Sequence, residues 1–579
     1  MRDEGDRVAF SPRSEQENGG IELAGSVGEA AVRSADTMGG GPGDGYEAVQ
    51  SRETPLLEEA DSPYGSEGDA SPRQHPGRRS EDAFNDSVGS GLLWGLEGSS
   101  LSAMHRDSSL GAAPTSRGCG SGRCLVYMCA LCSSLCSVLL GYDVGVMSGA
   151  KEFITPDLGL SPVEEEIVVG SLNVIAAFGG LVAGKAADTL GRRPTIALAC
   201  LIFIMGALIM TISQGVGTLL VGRAITGVGV GSAMVIAPVY IVELAPPDIR
   251  GMLVSLTDIC INLGILVGYG SSLMCDALIA GDSMKWRAML GIGTLPPAVI
   301  LACLFFMPES PRWLVTQGRQ KEGLDVLLRV MESKREAREA LHQISSSVLE
   351  HQTQSAPWKD VICPRDGAVR AAVVVGVGLG FWQQASGSEA AVYYTPEVLR
   401  DSGWSGRTEL LLGNIGVGGF KLTGEVVAFF LLDRYGRRPL FLLSSALVTC
   451  CLFGLALSFS LQWSVLVTLA WLCMFMFTFS LGLGPVTFVV ASEVFPLRVR
   501  SKAMSLTVFV NRLMSGLIAL SYESIARLLT PAGSFYFFAA VSLASIWFYW
   551  AKVPETRGKA LEDISADLDP QAGRRSPRG

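Results

Sequence analysis

An unusually polar segment interrupts one of the apolar stretches of this chain. The segment FWQQASGSEAAVYYTP places the amides Gln383 and Gln384, the acid Glu389 and the phenol Tyr393 among small and apolar residues. Polar side chains inside an apolar span are costly unless they face a bundle interior or a water-filled path. Amides donate and accept hydrogen bonds, which suits hydroxyl groups, and aromatic rings can cover the apolar face of a sugar or polyol. The segment therefore predicts half of a binding site for a polyhydroxylated solute.

Membrane-spanning helices are the elements that must position this segment. Of the 579 residues, 49% are hydrophobic and only 17% are charged, which is too apolar for a soluble enzyme of this size. About twelve continuous apolar stretches are long enough to cross roughly 30 Å of hydrocarbon as helices, and none shows β-barrel alternation. We therefore expect an all-α membrane protein. Its spans are predicted near 124–149, 164–187, 194–214, 217–241, 251–275, 287–307, 368–398, 408–432, 438–460, 464–490, 500–526 and 533–552.

The two apolar halves of the chain repeat one another at one offset of roughly 245–250 residues, as expected of a duplicated transporter. The matching pairs are GKAADTLGRRP at 184–194 with FFLLDRYGRRP at 429–439, ELAPPDIRGMLVSL at 243–256 with SEVFPLRVRSKAMSL at 492–506, and PESPR at 308–312 with PETRG at 554–558. The predicted organisation is a disordered cytosolic tail over 1–120, a six-helix half over 121–307, a cytosolic helical linker over 308–367, a second six-helix half over 368–553 and a cytosolic tail over 554–579.

Basic residues set the predicted orientation of the spans. They concentrate in alternate loops, as at Arg192, Arg250 and 434–438, which places both termini in the cytosol.

The N-terminal tail carries RETPLLEE at 52–59, which resembles an acidic dileucine sorting signal. Sorting machinery is thus a candidate partner, and an inert disordered segment is the alternative. We expect the plasma membrane, with the vacuolar membrane as the alternative.

The order and spacing of these motifs resemble the sugar porter family of the major facilitator superfamily, over nearly everything from Arg123 to Ile564. QQASGSEAAVYY, the lysine of GFKLTGEVVAFFLLDRYGRRPL and VNRLMSG at 510–516 are most similar to plant-type polyol and monosaccharide proton symporters. The resemblance implies the major facilitator fold, with two pseudo-symmetric six-helix halves. It also implies transport of a monosaccharide or polyol with protons by alternating access.

Asp143 and Arg223 form the candidate proton-coupling pair. Asp143 lies in the first span, where loss of water makes a carboxyl protonatable near physiological pH, and Arg223 lies well inside the fourth span. In the family that the chain resembles, an acid and an arginine at these positions couple proton and solute movement. A static ion pair that only stabilises the fold is the alternative.

The resemblance places the solute site between the halves near the midplane. The chain departs there from the common hexose pattern, because acids, a lysine and a phenylalanine replace the amides and tryptophan of many hexose carriers, which favours polyols. Lys421 and Glu425 share a helical face and can pair, so a dry structural salt bridge is the alternative to solute binding by Lys421. The candidate solute-binding residues are Asp258, Gln383, Gln384, Glu389, Tyr393, Lys421, Phe488 and Asn511.

The repeated D-x-x-G-R-R loops have a physical role of their own. An acid at the end of one helix and arginines at the start of the next can join the helices by charge-assisted bonds and offset the helix dipoles. The resemblance implies that the neighbouring acids and arginines join this network in the outward-facing state; a purely topogenic use of the positive charges is the alternative. The candidate cytosolic latch comprises Asp188, Arg192, Arg193, Glu243, Arg250, Asp433, Arg437, Arg438, Glu493 and Arg500.

The sequence carries no pattern typical of a catalytic triad, a metal cluster or an ATP site. Glycines 227, 229 and 231 lie in an apolar span without a preceding strand, which favours helix packing over a nucleotide loop. We therefore expect no enzyme activity, no cofactor or metal beyond the proton as coupling ion, and no nucleic-acid partner. A proton-independent facilitator and a transporter-like nutrient sensor are the alternative functions.

Overall fold

The computed structural model describes residues 121–246, 249–331, 333–354, 357–496, 498–557 and 559. The predicted tail at 1–120, with its RETPLLEE segment, lies outside the described residues, as does most of the predicted tail at 554–579. The described residues belong to one compact unit, and its regular structure is helical throughout.

Seven helices form the first half and four form the linker. The first half contains α1 (Ser121–Leu158), α2 (Pro162–Leu190), α3 (Arg192–Thr211), α4 (Val216–Leu244), α5 (Arg250–Leu278), α6 (Asp282–Ile292) and α7 (Leu295–Leu304). The linker contains α8 (Pro311–Thr316), α9 (Gln320–Val330), α10 (Lys334–Gln354) and α11 (Lys359–Ile362).

The second half has a matching set of long and broken helices. They are α12 (Gly367–Ala385), α13 (Ser388–Asp401), α14 (Arg407–Tyr435), α15 (Arg437–Ser460), α16 (Val465–Leu481), α17 (Leu483–Val494) and α18 (Arg500–Lys552).

Twelve membrane crossings follow from these helices. Within the described ranges ten helices are long and apolar enough to span a membrane, counting α6 with α7 and α16 with α17 as one each. An eleventh crossing arises because α18 is divided in two at Thr530. This residue directly precedes Pro531 and has a non-helical φ of 68°. α12 and α13 together supply the twelfth. The number matches the sequence prediction.

A glycine breaks the seventh crossing where the polar segment lies. Gly387 has a left-handed φ of 85°, and a Cβ on it would lie 2.8 Å from Cδ1 of Phe538, so the turn requires glycine. The break ends α12 at Ala385 and starts α13 at Ser388. Gln384 at the end of α12 and Glu389 at the start of α13 thereby lie on either side of a short turn inside the bundle.

The linker is fastened to the first half by its first helix. Ser310 caps α8 by accepting a hydrogen bond from the main-chain nitrogen of Trp313 at 3.2 Å. Trp313 Nε1 in turn donates to the main-chain oxygen of Asp188 at 3.0 Å. The end of α2 therefore carries the linker as well as the first latch loop.

Among the described residues, the ion pairs between the two halves lie at one end of the bundle. We call it the closed end, and it is the end at which Lys151, Glu166, Glu397 and Ser524 lie. Lys151 Nζ is 2.5 Å from Glu397 Oε1, and Glu166 accepts from Ser524 N and Oγ at 2.6 Å each. Ser161 begins α2 at this end with a capping box to Glu164, which fixes the helix start just before Glu166. The opposite end, which carries the latch loops, is the latch end.

Candidate functional site

A cavity of about 80 Å³ lies between the two halves. At roughly 30 Å³ per water molecule it holds a few waters rather than a sugar, so a solute requires the halves or the side chains to move. Six of the eight predicted solute-binding residues line it, namely Asp258, Gln383, Gln384, Glu389, Lys421 and Phe488. Its other polar side chains are Asn262, Ser388, Glu425 and Arg512, and Phe479 adds a second aromatic ring.

The amide of Gln383 is engaged within the protein. Its Nε2 donates to the main-chain oxygens of Leu483 and Gly484 at 2.8 Å each, beside the junction of α16 and α17. Its Oε1 accepts from Asn511 Nδ2, which also donates to the oxygen of Gly380 at 3.1 Å. Carbonyls freed at a helix break within a membrane need such donors. In this conformation Gln383 and Asn511 therefore brace one cavity wall.

Gln384 has weaker partners than Gln383. Its Nε2 lies 3.4 Å from Asn511 Oδ1, and Ser388 Oγ lies 3.3 Å from its Oε1. Arg512 donates to the same Asn511 oxygen at 3.1 and 2.7 Å. The long bonds of Gln384 are the ones that a solute hydroxyl can replace at least cost.

Tyr393 and Asn511 are the two predicted solute ligands that lie outside this lining. Tyr393 is fully buried, and its hydroxyl oxygen accepts from Asn173 Nδ2 of the other half at 3.1 Å. Its neighbour Val392 does line the cavity. A role for Tyr393 and Asn511 in binding solute stays a prediction. In this conformation neither residue lines the cavity, and both bond to other protein side chains.

Lys421 and Glu425 do not form the ion pair that their helical spacing allows. Lys421 Nζ instead lies 5.4 Å from the ring centre of Phe479, whose face attracts a cation. Among the described residues no carboxylate oxygen lies within 4.0 Å of Lys421 Nζ, and Glu389 Oε2 is buried without a hydrogen-bond partner. The charged side chains of the cavity are therefore near one another but not paired.

Four charged or polar lining residues were missed by sequence reasoning as site residues, namely Asn262, Ser388, Glu425 and Arg512. Asn262 lies four residues after Asp258 and Glu425 four residues after Lys421, so helical spacing could have found both. Arg512 directly follows Asn511, and adjacent helical residues do not share a face, so only the structure assigns it to the cavity.

Asp143 and Arg223 are brought together, fully buried, at the centre of the first half. Arg223 Nη1 donates to Asp143 Oδ2, and the two residues are 0% and 2% exposed. Arg223 also donates from Nε to Val168 O and from Nη2 to Val169 O, at 2.9 Å each. Val144, next to Asp143, lines the cavity. Asp143 is thus adjacent in sequence to a residue of the cavity wall, and the guanidinium is held by α2.

The first latch loop is tightly bonded within its own half. Arg192 donates to both carboxylate oxygens of Glu243 at 2.8 and 2.9 Å and lies 3.4 Å from Asp188. The main-chain nitrogens of Arg192 and Arg193 donate to Glu309 at 3.0 and 3.2 Å. Glu309 was missed as a latch residue, although the PESPR and PETRG repeat carried the signal.

The second latch loop repeats this pattern more loosely. Arg437 Nη2 lies 3.1 Å from Glu493 Oε1, and the main-chain nitrogens of Arg437 and Arg438 donate to Glu555 at 3.1 and 3.0 Å. Partial burial raises the pKa of Glu555, but the N–H groups around it outweigh this and hold the pKa below its ordinary value. The side chain of Asp433 lies outside the described part.

Among the described residues, Arg250 and Arg500 donate to main-chain oxygens in this conformation rather than to latch acids. Arg250 Nη2 donates to Ala245 O at 3.2 Å, and Arg500 Nε donates to Phe495 O at 3.2 Å. Both acceptors are C-cap residues, of α4 and α17, where a cation offsets the negative end of the helix dipole. The predicted outward-facing network would require these arginines to change partners.

Two six-helix halves around a polar cavity, with a carboxyl–guanidinium pair behind its wall, define a multi-pass membrane transporter of the major facilitator class. Residues 129–568 match the family model described as Sugar (and other) transporter. The chain belongs to this family.

Known relatives and structures agree with this assignment. Probable polyol transporter 4 of Arabidopsis thaliana is 42% identical over 445 residues, which cover 76% of this chain and 84% of that protein. Polyol transporter 5 of the same plant is 38% identical over 460 residues, covering 76% and 85%. The proton:xylose symporter XylE of E. coli, bound to 6-bromo-6-deoxy-D-glucose, has a TM-score of 0.67 at 27% identity, covering 77% of this chain and 100% of that chain. These findings confirm the predicted sugar porter membership, the helical two-half fold and a transporter rather than an enzyme.

Proposed function

We propose that this chain is a secondary active transporter that moves a monosaccharide or polyol across a membrane together with protons. The observation that carries the proposal is the buried Asp143–Arg223 pair, whose acid directly precedes Val144 of the polar cavity. A carboxyl in this position can exchange a proton with the cavity, and its ionisation decides whether the guanidinium has a partner.

Protonation of Asp143 removes the charge that Arg223 neutralises. Arg223 then keeps only its bonds to Val168 O and Val169 O on α2, and the tie between α1 and α4 is lost. Because α1 and α2 also contact the second half, loosening this tie changes how the halves meet. Solute binding is thereby linked to the proton, and release of the proton on the other side resets the carrier.

A polyol or a broad set of monosaccharides suits the cavity best. Carboxylates accept and ammonium and guanidinium groups donate, so Asp258, Glu389, Lys421 and Arg512 together satisfy a solute with many hydroxyls. Phe488 supplies an apolar face for carbon-bound hydrogens. Relatives named as polyol transporters support this substrate class.

The latch end is assigned to the cytosol because basic residues concentrate in its loops. The structure is then a state in which the halves are tied on the extracellular side. The proton is the coupling ion and no further cofactor is assigned. A plasma-membrane location and a sorting role for residues 52–59 belong to the same proposal.

Proteoliposomes with an imposed pH gradient test the function. A carrier that couples one proton to each solute supports about tenfold accumulation per pH unit. We expect the wild type to accumulate labelled D-sorbitol or D-xylose under the gradient, and Asp143→Asn to equilibrate the solute without accumulating it while retaining exchange.

Glu322→Gln is the matched control, because it removes a carboxylate from an exposed pair with Arg319 in the linker and should leave accumulation unchanged. Full accumulation by Asp143→Asn would refute coupling through this residue. Gradient-independent entry would show a facilitator, and absence of flux with the whole solute panel would show a sensor.

A further inference from the structure

Glu425 is a buried carboxyl that the coupling scheme above does not use. It is 4% exposed, lies on α14 in the cavity wall, and has no Lys or Arg nitrogen within 4.0 Å among the described residues. A carboxylate in the middle of a helical bundle is costly unless a cation or several donors stabilise it. The geometry therefore favours the neutral, protonated form.

Glu425 shares the cavity with two other carboxyls and two cations. α5 contributes Asp258, α13 contributes Glu389, α14 contributes Lys421 and α18 contributes Arg512. α16 contributes Ser480, and α17 contributes Gly484, on which a Cβ would lie 3.4 Å from Glu425 Oε2. With Glu425 included, three carboxyls face two cations, so full ionisation would leave one buried negative charge unneutralised. Glu425 is more deeply buried than Asp258 or Glu389 and is the one that should hold the proton.

The polar neighbours of Glu425 also lack partners. Ser480 Oγ and Asn262 Oδ1 are buried, and neither has a hydrogen-bond partner in the described part of the chain. Asn262 Nδ2 donates to the main-chain oxygen of Asp258 at 3.1 Å, which leaves its Oδ1 as an acceptor in need of a donor. A protonated carboxyl at Glu425 can supply an O–H donor to Asn262 Oδ1, which a carboxylate cannot, whereas the Ser480 hydroxyl can pair with either form of Glu425.

Lys421 is free to change partner, in contrast to Arg223. Arg223 is fixed by two main-chain oxygens as well as Asp143. Lys421 Nζ lies over the ring of Phe479 and forms no ion pair within 4.0 Å with a described carboxylate, and its flexible stem can reach Glu425 one turn further along α14.

We propose that Glu425 is a second proton-binding site of the carrier, and that its proton decides whether Lys421 is available to the solute. The proposal rests on the solute binding in this cavity. With the proton on Glu425, Lys421 faces the cavity and can donate to a solute hydroxyl beside Glu389. When the proton leaves to cavity water, Lys421 turns to the Glu425 carboxylate and the solute loses a donor. Solute affinity therefore falls as pH rises.

Infrared spectroscopy of the purified full chain tests the proton site without any solute. The C=O stretch of a protonated carboxyl should be present near neutral pH in the wild type and in Asp143→Asn, and should be lost in Glu425→Gln. In Lys421→Met the same band should persist to higher pH, because the cation that favours ionisation is gone. A spectrum in which Glu425→Gln removes no such band would overturn the proposal.

Binding of labelled D-sorbitol to the same proteins tests the consequence. Wild type and Asp143→Asn should both lose affinity severalfold as pH rises, whereas Glu425→Gln, a neutral isostere, should keep high affinity with that step absent. The same pH step in Glu425→Gln would contradict the switch even if the infrared band is found. If Asp143→Asn still accumulates solute while Glu425→Gln behaves as expected, the coupling scheme fails and this inference stands.

Discussion

At the closed end, ion pairs run between the two halves, whereas at the latch end the described Arg–Glu pairs run within each half. Lys151 bonds Glu397 across the interface, while Arg192 holds Glu243 inside the first half. Bonds within a half can persist through a rigid-body motion, but bonds between halves must break for the solute path to open. The contacts between the halves at the closed end therefore act as the gate, the set of bonds that must break before the solute path opens there. The latch loops instead keep each half rigid.

The ion pairs of the gate differ from one another in how deeply their side chains are buried. Lys151 is 2% exposed, lies 3.8 Å from the ring centre of Tyr394 and is 3.8 Å from a second carboxylate, Glu165. Another ion pair at this end, Asp282 with Arg407, is 43% exposed on each side chain. A shielded charge pair is worth far more than a solvated one, so the gate should depend on Lys151.

Breaking the gate at Lys151 should give the largest effect. Lys151→Met leaves Glu397 and Glu165 facing each other without a cation, which should cost about 3 kcal/mol or more of the closed state. A double-mutant cycle with Glu397→Gln, read out by thermal unfolding in detergent, should show that the double variant recovers much of the loss.

The exposed pair provides the control for this cycle. Asp282→Asn with Arg407→Gln should show a coupling energy below about 1 kcal/mol. Strictly additive losses at Lys151 and Glu397 would mean that the gate pair is not formed, and the comparison between the two ends would fail.

The two latch loops should differ in strength. Arg192→Ala removes two short bonds to Glu243, whose side chain is 7% exposed, and should destabilise the protein by about 2 kcal/mol. Arg437→Ala removes one bond to the more exposed Glu493 and should cost about 1 kcal/mol. Neither variant should change the Lys151–Glu397 coupling. Equal losses in unfolding measurements would show that the two loops are equivalent.

The smallest expected effect concerns Glu555 and acid. Because its folded pKa is below the ordinary value of 4.5, Glu555 stabilises the folded chain above about pH 4.5, and this contribution is lost as pH falls further through the folded pKa. The unfolding-temperature difference between wild type and Glu555→Gln should therefore shrink in acid. A difference that grows with falling pH would contradict the bonds assigned to this carboxylate.

Much of the fold was predictable because apolar length and internal repetition report helices and symmetry directly. The broken crossings were less predictable. Gly387 and Gly482 lie at helix breaks where a Cβ would collide with Phe538 and Ser444, which are distant in sequence. A linear pattern carries no record of such neighbours. The Asp143–Arg223 pair was predictable because charges inside spans are rare and need partners.

The sequence predicted which residues line the cavity better than it predicted the contacts that they make. Sequence spacing shows that Lys421 and Glu425 share a face, but it does not show that Phe479 attracts the ammonium instead. The gate pair of Lys151 and Glu397 was missed because its members lie in different halves and outside the repeated motifs. Contacts between halves depend on the conformation, which a sequence does not specify.

The central claim is that solute and proton cross the membrane together. The most direct test is the external pH of weakly buffered proteoliposomes after addition of D-sorbitol or D-xylose, with labelled solute measured in parallel. The account predicts that the medium becomes alkaline as solute enters through the wild type, and that Asp143→Asn admits solute without this change. Solute entry through the wild type at constant external pH would contradict it.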